Sequence, residues 1–207
     1  MKINLYLTFI LFLFVHQCSV LNAQSNSQCS GIINTLNKFQ EGYTNRDTTV
    51  IDDYIQDLFV EDVVIIGTGP SEWITNIDMA HRLVLSDWKY WGDVKLDIDN
   101  AKIQIHNDVA WVAVKGTLTR NFESEDYIYN QYGLRDIRRI IDSENSNKTK
   151  LLEVITDAAD ILWEVELAGS KFIYPLRIGA SLVHENGRWK FKQMHFSYPL
   201  PRDLILE

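Results

Sequence analysis

The carboxy-terminal stretch limits what this chain can fold into more than any other part of it. Two long runs, Phe172 to His184 and Trp189 to Tyr198, flank Asn186-Gly187, the dipeptide that most strongly marks a two-residue hairpin turn. A turn of that length sets Glu185 opposite Arg188, and the alternation of an extended chain then places Gln193 opposite Ala180 and His195 opposite Ile178. One face of the hairpin carries Tyr174, Leu176, Ile178, Ala180, Leu182, Trp189 and Phe191, and by the same count Gln193 and His195. The other carries Arg177, Ser181, Lys190 and Lys192, followed by Met194 and Phe196. The first face is mostly apolar and is expected to point inward. Gln193 and His195 are then polar groups on an inward face. Buried polar groups need partners, so these two are the first candidates to line a cavity.

Upstream, Ile32, Leu36, Phe39 and Tyr43 recur at helical spacing, and Asn45-Arg46-Asp47 breaks that helix. A second helix begins near Thr48 and buries Val50, Ile51, Tyr54 and Leu58. Val63 to Ile66 is a β-branched run that reads as a buried strand, and Gly67 to Ser71 turns the chain. A third helix, started by Thr75 or Asn76, carries Met79, Leu83, Val84, Trp88 and Trp91. Three strands follow at Val94 to Ile98, Lys102 to Ile105 and Val109 to Thr119, and then the period turns helical from Glu125 to Ala168. Gly169 stops the last helix.

The amino terminus has a different character. Lys2 precedes an apolar run from Ile3 to Val15, and a polar stretch ends in Leu21-Asn22-Ala23. This is the layout of a cleaved export signal over residues 1–23, which leaves 24–207 as one domain in a secreted or periplasmic protein. The run is shorter than the roughly 20 apolar residues that span a bilayer, so no stable membrane insertion is expected after cleavage. A retained anchor helix and lipid attachment at Cys18 are the alternatives. Cleavage would leave only Cys29, so no internal disulfide can form. The net charge of −8 offers no basic surface to track phosphates, which argues against nucleic-acid binding.

Two or three helices, a strand, another helix and then meandering strands is the order of nuclear transport factor 2-like domains. The stretch from Asp62 through Val63-Val64-Ile65-Ile66 to Glu72-Trp73 resembles the strand and turn after the second helix in the SnoaL-like branch. Asp108 to Val112 and Gly187 to Ser197 are similar to its central and final strands. The resemblance implies an α+β conical fold, in which a bent antiparallel sheet wraps a pocket and amino-terminal helices cover it. Residues 125–168 then read as a helical insertion between sheet strands, placed to act as a lid. Ketosteroid isomerases share this fold. Their carboxylate base would fall on Gly67 here and their second acid near Gly179, so that mechanism does not carry over.

Weighed residue by residue, His195 could act as a general acid or base, or simply be a hydrogen-bonded core histidine. Glu72 and Trp73 could sit at the pocket mouth, with Trp73 alternatively a plug under the third helix. Tyr174 points inward by alternation and could offer its hydroxyl to a ligand. His81, His106, His184 and His195 have no metal-ligand spacing, and neither a metal nor another cofactor is expected. Three readings stay open: a secreted binder of a small, largely apolar molecule oriented by Gln193, Tyr174, Trp73 and Glu72; a pocket enzyme of isomerase, cyclase or hydrolase type using His195; and a dimeric interaction protein with a closed core. A homodimer is expected, with Met194 and Phe196 outward at its contact.

Overall fold

The computed structural model describes residues 22–68 and 72–198. The expected export signal and Cys18 lie outside them except for Asn22 and Ala23, as does the 69–71 part of the glycine-rich turn.

Helix α1 (Asn22–Asn45) buries Ile32, Leu36, Phe39 and Tyr43, the stripe its sequence spacing requires. Arg46 takes a positive φ of 51°, and Asp47 caps a single 3-10 turn by accepting from the Thr49 amide. Helix α2 (Ile51–Leu58) follows and buries Ile51, Tyr54, Ile55 and Leu58, while Val50 is left exposed. Helix α3 (Ile77–Tyr90) starts at Asn76, whose side chain accepts from the Met79 amide.

Seven strands form one sheet: β1 (Phe59–Ile66), β2 (Trp73–Ile74), β3 (Asp93–Leu96), β4 (Lys102–His106), β5 (Val109–Asn121), β6 (Lys171–Glu185) and β7 (Arg188–Ser197). The order is β2-β1-β7-β6-β5-β3, with β4 also on β5. Among the described residues only β1 and β7 run parallel. Strand β5 pairs with β6 along its whole length, while its other edge changes from β4 to β3 near Gly116. Ala110, Val112, Val114 and Leu118 of β5 line the inner face with Leu176, Ile178 and Leu182 of β6, and all pack into one core with α1. Trp111, between them in sequence, points out.

Between β5 and β6 lies the expected helical insertion. It comprises α4 (Glu125–Tyr127), a π-helical stretch (Ile128–Gly133), α5 (Leu134–Asp142) and α6 (Asn147–Ala168). Gly169, at φ 61°, ends it. The insertion rests on the sheet through a small cluster of Ile128, Val165 and Phe172, flanked by Phe122, Tyr132 and Tyr174.

The hairpin forms as read, with Asn186 and Gly187 both at positive φ and Glu185 opposite Arg188. Strict alternation fails beyond Phe191. Leu182 pairs with Phe191 but Ser181 pairs with Gln193, which makes Lys192 the extra residue of a β-bulge. The bulge exchanges the two faces for the rest of the strand. Met194 and Phe196 enter the core, and Gln193 and His195 turn out to solvent. Gln193 therefore lies opposite Ser181 and His195 opposite Gly179, one position away from the expected register. The expected dimer contact through Met194 and Phe196 is overturned for the same reason. The residue spacing carries the signal: the apolar positions are Trp189, Phe191, Met194 and Phe196, and the step of three from 191 to 194 is the bulge itself.

Candidate functional site

The inner face of the sheet is apolar until it reaches the insertion. There, continued alternation along β5 brings Arg120 to the inside after Val114 and Leu118, and the inner row of β6 ends in Tyr174 and Phe172. Beyond the bulge, the inner row of β7 runs through Met194 and Phe196 to Tyr198. Helix α3 buries Ala80, Val84 and Trp88, and the same face brings Asp87 and Trp91 against α1. Helical and strand periods thus converge on a group of polar side chains set among aromatic rings.

At its centre the Tyr43 hydroxyl donates to Asp87 Oδ2 at 2.8 Å. Burial pushes the Asp87 carboxyl up to about 7 and the negative charge of Glu72 adds to this, against the hydrogen bond from Tyr43 and the positive charge of Arg120. Burial also raises the Tyr43 phenol well above its ordinary range, with Asp87 contributing. Arg120 donates from Nε to the Trp91 carbonyl at 2.5 Å and lies over the Tyr174 ring, 5.5 Å from its centre. Glu164, reaching down from α6, is raised by burial and sits beside the Tyr174 hydroxyl, which is itself raised by burial and by Glu164.

Tyr198 completes the group. Its ring stands 5.8 Å from Tyr174 and 6.5 Å from Trp91. Its hydroxyl oxygen is buried beside the Trp91 indole, which it meets outside ordinary hydrogen-bonding geometry.

A cleft of about 350 Å³ at the same end of the sheet, lined by Arg46, Gly92, Arg120, Phe122, Tyr127 and Tyr132, brings solvent to Arg120. A larger cleft of about 630 Å³ lies at the hairpin-turn end. Its charged residues already satisfy one another, since Asp57 pairs with both Lys38 and Arg188.

Of the candidates read from the sequence, the structure brings Tyr174 and Glu72 to this group. Trp73 is 61% exposed and plugs nothing. Gln193 and His195 face solvent on the opposite side of the sheet, where they cannot reach the interior. Sequence reasoning missed Asp87, Arg120, Tyr198 and Glu164, and took Tyr43 for a core residue only. For Asp87 a signal exists, because an acidic residue on the α3 face that buries Ala80, Val84 and Trp88 stands out. Gly67 indeed carries no carboxylate, yet one occupies its space: a Cβ built there would meet Glu72 Oε2 at 1.9 Å.

A bent, unclosed sheet around a long amino-terminal helix, with polar groups gathered at one end of its inner face, is the nuclear transport factor 2-like fold. Solved structures with this architecture include a candidate scytalone dehydratase from Novosphingobium aromaticivorans (12% identity, 85% of this chain and 87% of that one, TM-score 0.53). Others are a nuclear transport factor 2-like superfamily protein from Salmonella enterica serovar Typhimurium (12%, 84% and 93%, 0.53) and a nuclear transport factor 2-like protein from Pseudomonas putida (10%, 86% and 92%, 0.52). Within that fold, the SnoaL-like domain family model matches residues 32–130, just under half of the chain. No curated protein matches it by sequence.

Proposed function

We propose that the domain takes up a small, largely apolar molecule bearing a carbonyl or hydroxyl group, and that Asp87 exchanges a proton with it. The observation that carries this reading is the buried Asp87–Tyr43 pair, with Asp87 poised near neutrality, beside the aromatic group of Trp91, Tyr174 and Tyr198. A carboxyl at about 7 can both accept and give a proton at physiological pH, which suits general acid–base work. Trp91, Phe196 and Tyr174 offer flat apolar walls, and Arg120 offers a positive charge for a developing oxyanion. A dehydratase among the structural relatives is compatible with proton transfer. Export is part of the proposal and rests on the apolar run from Ile3 to Val15; mass spectrometry of the natively expressed protein should find a chain beginning at Gln24.

The test uses 2-tetralone, a bicyclic ketone with acidic α-protons. Its binding is followed by tryptophan fluorescence, and its α-deuteration in heavy water by NMR. Wild-type protein should accelerate exchange, with a rate that rises through about pH 7 as Asp87 ionises. Asp87→Asn should lower that rate by about 10²–10⁴-fold, and Tyr198→Phe should weaken binding. His195→Ala should change neither. Loss of exchange in His195→Ala with retention in Asp87→Asn would overturn the proposal, and so would an absence of both binding and exchange in the wild type.

A further inference from the structure

Helix α6 has two apolar sides, and only one of them meets the protein. Val165 is buried, and Val154, Ala158 and Ile161 are partly covered. The flank beside it and the far side expose Leu151, Leu152, Ile155, Leu162, Trp163 and Leu167, each between 46% and 64%. Scattered exposed apolar residues are ordinary, but a continuous row of large ones along one helix marks a contact surface.

The order of residues in that row identifies the occupant. The exposed positions Lys148, Leu152, Ile155, Ala159, Leu162 and Glu166 are separated by four, three, four, three and four residues, the spacing of a coiled-coil seam. This spacing is symmetric about Asp157. If a second α6 is laid antiparallel across that point, Leu152 meets Leu162, and the large Ile155 meets the small Ala159. At the ends Lys148 meets Glu166, and Leu151 meets Trp163. The helix carries its two basic residues, Lys148 and Lys150, in its first turn, and Asp157, Asp160, Glu164 and Glu166 in its second half. An antiparallel partner therefore sets basic ends against acidic ends and opposes the helix dipoles, whereas a parallel one would stack like charges.

We infer that α6 is a self-association surface, across which two copies of this chain pair by an antiparallel, two-fold contact of their insertion helices. The contact is isologous and closes at a dimer. A lipid surface fits the row poorly: interfacial helices are rich in Lys and Arg, and this one has two basic residues against five acidic ones. The inference does not depend on the function proposed above. It does bear on it, because Glu164 lies on the same helix and a dimer would fix that helix over Tyr174.

Sedimentation velocity tests this on the purified protein. The wild type should be a dimer at micromolar concentration. Leu162→Lys should weaken association at least about 100-fold and Lys148→Glu about 10-fold. The double variant Lys148→Glu/Glu166→Lys should return to within about 3-fold of wild type, because the charges exchange places across the two-fold axis. All three positions are exposed, so circular dichroism should show unchanged folding. Four results would overturn the inference: a wild-type monomer at about 100 μM; a dimer that ignores the α6 changes but is broken by His195→Glu on the outer face of the sheet; dimerisation only after removal of residues 199–207; or a monomer that pellets with phosphatidylcholine vesicles.

Discussion

Asp87 shows how one buried carboxyl couples stability to acidity. Unfolded, it titrates near 3.9; folded, burial holds it at about 7. Between these values the folded chain binds a proton that the unfolded chain has released. Its contribution to stability is therefore greatest below about pH 4 and is lost as the pH rises through 7. The full difference is up to about 4 kcal/mol. Urea unfolding across this range should show wild-type stability falling, with Asp87→Asn flattening the slope and becoming the more stable protein near pH 8. A different constraint acts at Gly42, where an added Cβ would come within 2.1 Å of the Tyr54 ring. That ring cannot easily withdraw, since its hydroxyl donates to the Phe39 carbonyl at 2.9 Å and its face packs on Trp88 at 5.0 Å. Overpacking costs roughly 1–3 kcal/mol, against about 1 kcal/mol of helix propensity gained by alanine. Thermal unfolding should find Gly42→Ala destabilised by about 1–2 kcal/mol.

At the scale of elements, the closing hairpin combines two backbone devices. The turn depends on Gly187 at φ 77°, and no atom lies within 4 Å of a Cβ built there. Any penalty for Gly187→Ala is thus purely conformational and should be about 1 kcal/mol in chemical unfolding. The bulge at Lys192 is the second device, and it determines which residues the strand sends inward. The Lys192 side chain is anchored outside by Asp62 of β1. Most elements were legible in the residues. The stripe Ile32, Leu36, Phe39, Tyr43 gave α1, Asn76 gave the start of α3, and Asn186-Gly187 gave the turn. The facing of Gln193 and His195 was not obtained, because a period of two, carried through an extra residue, inverts every side chain after it.

Across the whole molecule, the helical insertion and the sheet share one end. The insertion covers that end with Ile128, Val165 and Phe172, sends Glu164 inward and turns its second apolar row outward. By itself the sequence determined the order of helices and strands, the turn chemistry and the likeness to the SnoaL-like branch, because propensity, capping and hydrophobic period are local properties. Tertiary structure alone decided the site. Tyr43, Glu72, Asp87, Arg120, Glu164 and Tyr198 come from six separate segments, and only the bending of the sheet around α1 brings them together. Apart from Glu72 and Asp87, each is unremarkable in its own stretch of chain. The shift of the Asp87 carboxyl exists only where those segments jointly exclude water.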